Sequence, residues 1–150
     1  MKNDLIPGSA VGAIGRTLLR RHGHQGPILV VDDEAPLQQA MAATLRAKGH
    51  FVLCAGNGSD ALQLTEIHAP SLVILDLEMP VLDGRGFVQA LRRRGHEVPI
   101  LVITGGLEAA SAIDEMGAIG YLEKPFRLGE LLHAVSEFVP PPDPATRTRL

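Results

Sequence analysis

The sequence predicts an α/β fold, a parallel sheet whose strands are joined by helical crossovers, and three observations carry that reading. Five short apolar runs recur along the chain, at 28–32, 51–55, 72–76, 99–103 and 118–122. The segments between them have helical apolar spacing, and strands that alternate with about ten to fifteen helical residues build βαβ units. Carboxylates close two of the runs, in Ile28-Leu29-Val30-Val31-Asp32-Asp33 and Leu72-Val73-Ile74-Leu75-Asp76. Nearly continuous apolar runs suit strands buried on both faces, which would bring these acidic groups out together at the strand ends.

Each element follows from local chemistry. After the first run, Pro36 suits the first turn of a helix that places Leu37, Ala40, Met41, Thr44 and Leu45 on one face, with Gly49 just past its end. Ser59 and Asp83 are the expected N-caps of the second and third helices. Arg92-Arg93-Arg94 ends the third helix, where cations favour the dipole, a better account of that run than nucleic-acid binding. Pro99 marks the entry to the fourth strand. Leu128, Leu131, Leu132, Val135 and Phe138 then define a final amphipathic helix, which the prolines at 140–142 and 144 cannot continue. That stretch reads as an extended linker. Residues 1–26 precede the first strand as an extension in which Val11, Ile14 and Leu18 share a helical face. The expected organisation is thus an extension over 1–26, a single domain over 27–139 and a proline-rich tail over 140–150.

Composition narrows the class. With 150 residues, 45% of them hydrophobic and 21% charged, the chain can bury a core of ordinary size. Only 3% of residues are aromatic and none is Trp, which argues against a stacking platform for single-stranded nucleic acid. Residues 27–139 carry 8 Lys and Arg against 15 Asp and Glu, whereas the flanks carry 6 against 2. An acidic centre suits a cation site better than direct nucleic-acid contact. Cys54 is the only cysteine, so no internal disulfide can form, and a reducing, cytoplasmic setting is expected. No stretch approaches the roughly 18 apolar residues that cross a bilayer, and Pro7, Gly8 and Gly12 interrupt residues 5–14 too often for a secretory signal. The six histidines form no metal-ligand pattern.

Asp32, Asp33 and Asp76 point to the chemistry. Two carboxylates about 4 Å apart repel by roughly 4 kcal/mol at an effective dielectric near 20, so three in one crevice require a metal ion, a lysine or a proton. Hard oxygen ligands favour Mg²⁺, and Lys124 is the candidate fixed positive charge. Taken singly, each residue has an ordinary structural reading: strand-end carboxylates, a β-branched Thr104 in a strand, a half-buried Tyr121, a solvated Lys124.

Taken in order, the acidic pair after the first run, Asp76 after the third, Thr104 after the fourth and Lys124-Pro125 after the fifth make the chain resemble a response-regulator receiver domain of two-component signalling over about residues 27–139. Glu78-Met79-Pro80, Asp83-Gly84 and Gly117-Ala118-Ile119-Gly120-Tyr121-Leu122 agree with it. The resemblance implies a flavodoxin-like, doubly wound five-stranded parallel sheet of order 2-1-3-4-5, with the site outside the carboxyl ends of the strands. It implies that Asp76 accepts a phosphoryl group from a histidine kinase or histidine phosphotransfer protein, and that Asp33 ligates Mg²⁺ directly while Asp32 acts more through water. The main-chain carbonyl of Glu78 adds a ligand, Lys124 pairs with Asp76 and then the phosphoryl group, and Thr104 moves toward the phosphate while Tyr121 turns inward. A cis peptide before Pro125 is implied as well. The expected output face is helix 4, strand 5 and helix 5, read by a downstream effector protein, with the chain a monomer or weak homodimer. Against the family pattern, Gly105-Gly106 follow Thr104 and should leave the switch loop mobile without phosphate, while the 20 positions from Thr104 to Lys124 are slightly few, which bears on the length of helix 4. Two other functions are compatible with the residues: a docking module that works without phosphorylation, and a phosphohydrolase with Asp76 as nucleophile and Glu78 as general acid.

Overall fold

β-Branched and leucine-rich runs without a polar interruption pair best where both faces are covered, and that is how the central strands are placed. The structure is a computed structural model that describes residues 26–79, 84–106 and 109–141. Among these residues β1 (Ile28–Val31), β2 (Val52–Ala55), β3 (Leu72–Asp76), β4 (Ile100–Thr104) and β5 (Gly120–Glu123) alternate with α1 (Ala35–Ala47), α2 (Gly58–His68), α3 (Gly84–Arg93), α4 (Ala109–Met116) and α5 (Leu128–Phe138). All pairings are parallel and the sheet order is β2-β1-β3-β4-β5, as expected.

The side-chain period of two divides the sheet into two cores. Ile28, Val30, Leu72, Ile74, Leu101 and Ile103 face one side, where α1 supplies Met41 and Leu45 and α5 supplies Leu131, Val135 and Phe138. Leu29, Val31, Val73, Leu75, Ile100 and Val102 face the other, against Leu62 of α2, Phe87 and Leu91 of α3 and Met116 of α4. Each fully buried Leu or Ile contributes about 1.5–3 kcal/mol by leaving water, so these two layers fix the strands whose ends build the site.

The boundaries depart from the sequence reading in understandable ways. β2 and β5 are edge strands, so only one side of each is fully covered: Leu53 and Cys54 are half-buried, Glu123 is exposed, and Phe51, expected in the strand, lies before it with 54% of its surface exposed. The fifth strand begins at Gly120 rather than 118, because Gly117 turns the chain at φ +65° and only Ile119 N–H, bonded to Ile100 O at 2.8 Å, starts the pairing. α2 is capped by Asn57, whose side chain accepts from Asp60 N–H at 2.8 Å, and not by Ser59, which sits inside the helix. On α1 the deeply buried set is Gln38, Met41, Ala42 and Leu45, while Leu37, Ala40 and Thr44 are half-buried. Gly49, at φ +94°, follows the end of that helix as read. Arg92, in the last turn of α3, donates to His96 O at 2.9 Å and Val98 O at 3.1 Å, and Arg94 pairs with Glu66 of α2. Burial lowers the Arg92 pKa, opposed by Glu97. Asp83, the extension up to residue 25 with the helical face of Val11, Ile14 and Leu18, and most of the proline tail lie outside the described residues. No helix among the described residues is long and apolar enough to cross a membrane.

Candidate functional site

Parallel pairing brings the carboxyl ends of β1, β3, β4 and β5 to one rim, and the loops leaving them carry the polar residues. One carboxylate oxygen from each of Asp32, Asp33 and Asp76 falls within 4.8 Å of the others. Asp32 and Asp76 are each 1% exposed, whereas Asp33 opens to solvent. Asp32 Oδ1 accepts from Glu34 N–H at 2.8 Å and Asp76 Oδ1 from Glu78 N–H at 3.0 Å, so each acid is held by the amide two residues on. The second bond sets the Glu78 main chain beside Asp76. Its side chain is exposed.

Lys124 leaves the end of β5 with its ammonium 3.3 Å from Asp76 Oδ2 and 3.0 Å from Glu34 Oε1. The Lys124 N–H bonds to Thr104 O at 2.8 Å and the following peptide to Pro125 is cis, so the strand end is tied to β4 as the chain turns away. Thr104, 2% exposed, accepts from Gly106 N–H through its hydroxyl at 3.1 Å. Tyr121 is half-buried against the layer formed by α2, α3 and α4. The structure gathers Asp32, Asp33, Asp76, Thr104 and Lys124 at one end of the sheet, with Glu78 beside them and Tyr121 earlier in β5, back from the rim.

Electrostatics follows from this packing. Burial, with the charge of Asp76 adding to it, raises the Asp32 pKa to about 6 against the opposing Glu34 N–H bond and Lys124. Burial alone would lower the pKa of Lys124, but Glu34, Asp76 and Asp32 together outweigh it and hold the ammonium charged above the ordinary lysine range. Asp32 Oδ2 is buried and has no hydrogen-bond partner. A desolvated carboxylate oxygen without a donor, on one member of a cluster of three acids, is the arrangement a hard divalent cation completes. Mg²⁺ fits these residues on that observation.

Gln38 and Glu34 took no part in the sequence reading. The buried Gln38 amide donates to Asp32 O at 3.0 Å and Ala55 O at 2.9 Å, tying the acidic loop to the end of β2. Gly84 is fixed by close approach: a Cβ there would lie 2.9 Å from Leu77 Cα and 3.1 Å from Asp76 O. The Asp83-Gly84 motif was the available signal for Gly84. Nothing in the local sequence marks Gln38.

Residues 28–136 match the family model of the response regulator receiver domain. The chain belongs to that family. Among curated relatives of the receiver, a probable transcriptional regulator, ycf27 of Porphyra purpurea, is 43% identical over 106 residues, 69% of this chain and 43% of the relative. The transcriptional regulatory protein PrrA of Mycobacterium tuberculosis is 40% identical over 114 residues, 72% of this chain and 47% of the relative. The chain thus spans less than half the length of either. Among solved structures, the chemotaxis protein CheY4 of Vibrio cholerae is 31% identical with a TM-score of 0.71, covering 77% of this chain and 100% of that one. The response regulator TrrA of Thermotoga maritima, crystallised in complex with Mg²⁺–BeF, is 30% identical with a TM-score of 0.68, covering 76% of this chain and 99% of that one. This is a response regulator receiver domain of two-component signalling with an acidic pocket at the rim of its sheet.

Proposed function

We propose that the receiver accepts a phosphoryl group on Asp76 from a histidine kinase or histidine phosphotransfer protein and uses it to switch the α4–β5–α5 face. The observation that carries the reading is the buried Asp76 carboxylate with an ammonium 3.3 Å from one oxygen and two further aspartates beside it. Asp76 would attack phosphorus in line, its O–P bond forming as the P–N bond to the donor histidine breaks. Asp32, Asp33, Asp76 and the main-chain carbonyl of Glu78 would hold Mg²⁺. When bound, that ion supplies charge neutralisation on the phosphoryl oxygens.

Lys124 is a compact point charge on a flexible stem, so it can follow negative charge from the carboxylate to the phosphoryl group. The Thr104 hydroxyl can donate to a phosphoryl oxygen, and because it accepts from Gly106 N–H, its movement draws the glycine loop with it. Space vacated by Thr104 lets Tyr121 turn inward and changes the surface an effector protein reads. This is a two-state element biased by local charge. Residues 27–139 would act as the switching unit and 140–150 as its linker, with the unit a monomer or weak homodimer in the cytoplasm and no direct nucleic-acid or membrane contact.

Incubation with acetyl phosphate and Mg²⁺ followed by intact-mass measurement tests the reading. A single added phosphoryl group that Asp76→Asn and EDTA each abolish is expected. Repeated turnover of a small phosphoester would instead indicate a hydrolase, and unmodified protein under all conditions would leave the docking-module reading.

A further inference from the structure

Lys124 has a second carboxylate partner to which the phosphotransfer reading gives no role. Glu34 precedes α1 at its N-cap position, yet its side chain caps no helix N–H. It reaches across 90 positions of sequence to accept from Lys124 Nζ at 3.0 Å, nearer than the 3.3 Å to Asp76. The Glu34 side chain is 60% exposed and that of Asp76 is 1% exposed, so the ammonium is held between a carboxylate at the mouth of the site and one at its floor.

We propose that Glu34 is a resting-state counter-ion that shares Lys124 with Asp76 and thereby slows phosphoryl entry, making it a positioning residue that acts through the lysine. The inference rests on the reading of Asp76 as phosphoacceptor. With an acyl phosphate as donor, the Asp76 O–P bond forms while the P–O bond to the acyl group breaks and the carboxylate leaves with the electron pair. The side chain at 76 gains negative charge in that step, and Lys124 must follow it. An ammonium has a single unit of charge to divide, so as long as Glu34 holds part of it, less is available where charge develops.

The test uses the full chain, acetyl phosphate and saturating Mg²⁺, with labelling followed by intact mass. Glu34→Gln is expected to be labelled about three- to tenfold faster at low ionic strength, the range that one unit charge several ångströms away produces at high effective dielectric. The gain should shrink toward unity near 1 M salt, where the screening length is about 3 Å. The same variant should bind Mg²⁺ more weakly, read as a raised midpoint for Mg²⁺ in thermal unfolding, because a negative charge beside the cluster is gone. Faster labelling with weaker metal binding is a pair of opposite changes that a merely structural residue does not give. The decisive comparison is the double-mutant cycle: in a Lys124→Ala background the gain from Glu34→Gln should fall below about twofold. Labelling of Glu34→Gln no faster than the parent chain, or a gain undiminished without Lys124, overturns the proposal. If the parent chain takes up no phosphoryl group, the phosphoacceptor reading falls and this inference with it, whereas a labelled parent with an unaccelerated Glu34→Gln removes the inference alone.

Discussion

Asp32 holds a carboxylate that is 1% exposed, beside Asp76 and with one oxygen lacking any donor, and its pKa is raised by burial to about 6 from 3.8. A carboxylate whose folded pKa lies above its unfolded value binds its proton more tightly when folded. Its contribution to metal-free stability therefore falls as pH rises from about 4 through 6, opposite in sign to an ordinary ion-paired aspartate. At neutral pH the ionised group costs about 3 kcal/mol by this linkage. Asp32→Asn retains an acceptor for Glu34 N–H and removes the charge. In EDTA at pH 7 it is expected to unfold in urea at higher midpoint, by about 1–3 kcal/mol, with the advantage vanishing near pH 4. An equal difference at both pH values would show that charge burial is not its origin. Gly84 is constrained by shape instead. A methyl group there meets the Leu77 main chain at 2.9 Å, so Gly84→Ala must displace the segment that follows Asp76. A loss of about 1–3 kcal/mol is expected by chemical denaturation, together with slower phosphoryl uptake.

At the scale of elements, what the sequence disclosed depended on how local the cause was. The buried β1, β3 and β4 were legible because period and apolarity act within a single run, and their ends located Asp32, Asp33, Asp76 and Thr104 without any tertiary knowledge. β2 and β5 were placed less well, because edge position is decided by which strands lie beside them. The contacts of Gln38 with Ala55 and of Glu34 with Lys124 span 17 and 90 positions, and no periodicity encodes either. The cap of α2 was a choice between nearby polar residues. Asn57 has the extended backbone of an N-cap, φ −159°, and accepts from Asp60 N–H, while Ser59 is already helical. Asn57→Ala is thus expected to lower stability by about 1 kcal/mol and Ser59→Ala by less than half of that, measured by urea unfolding. The reverse ranking would place the helix start where the sequence alone suggested.

For the whole molecule, the cluster that serves the proposed chemistry opposes the metal-free fold, and this links stability to the ion. Asp32, Asp33 and Asp76 repel one another across less than 4.8 Å, and Lys124 supplies one positive charge that it also divides with Glu34. Unfolding separates the three acids, so a cation that binds them together binds the folded chain far better than the unfolded one. Such a ligand adds RT ln(1 + [L]/Kd), about 2.7 kcal/mol at a hundredfold excess over Kd. For a domain of this size each kcal/mol moves Tm by about 4 °C, so millimolar Mg²⁺ is expected to raise Tm by several degrees over EDTA at pH 7.5. Because the ion must displace the Asp32 proton, the increment should decline as pH falls below about 6. Asp33→Asn should reduce it strongly, since that acid is a proposed ligand whose solvent exposure leaves the metal-free fold little changed by the substitution. A Tm indifferent to Mg²⁺ in the parent chain, with phosphoryl uptake equally indifferent, would mean that Lys124 alone balances the site and that the orphaned oxygen of Asp32 has some other purpose.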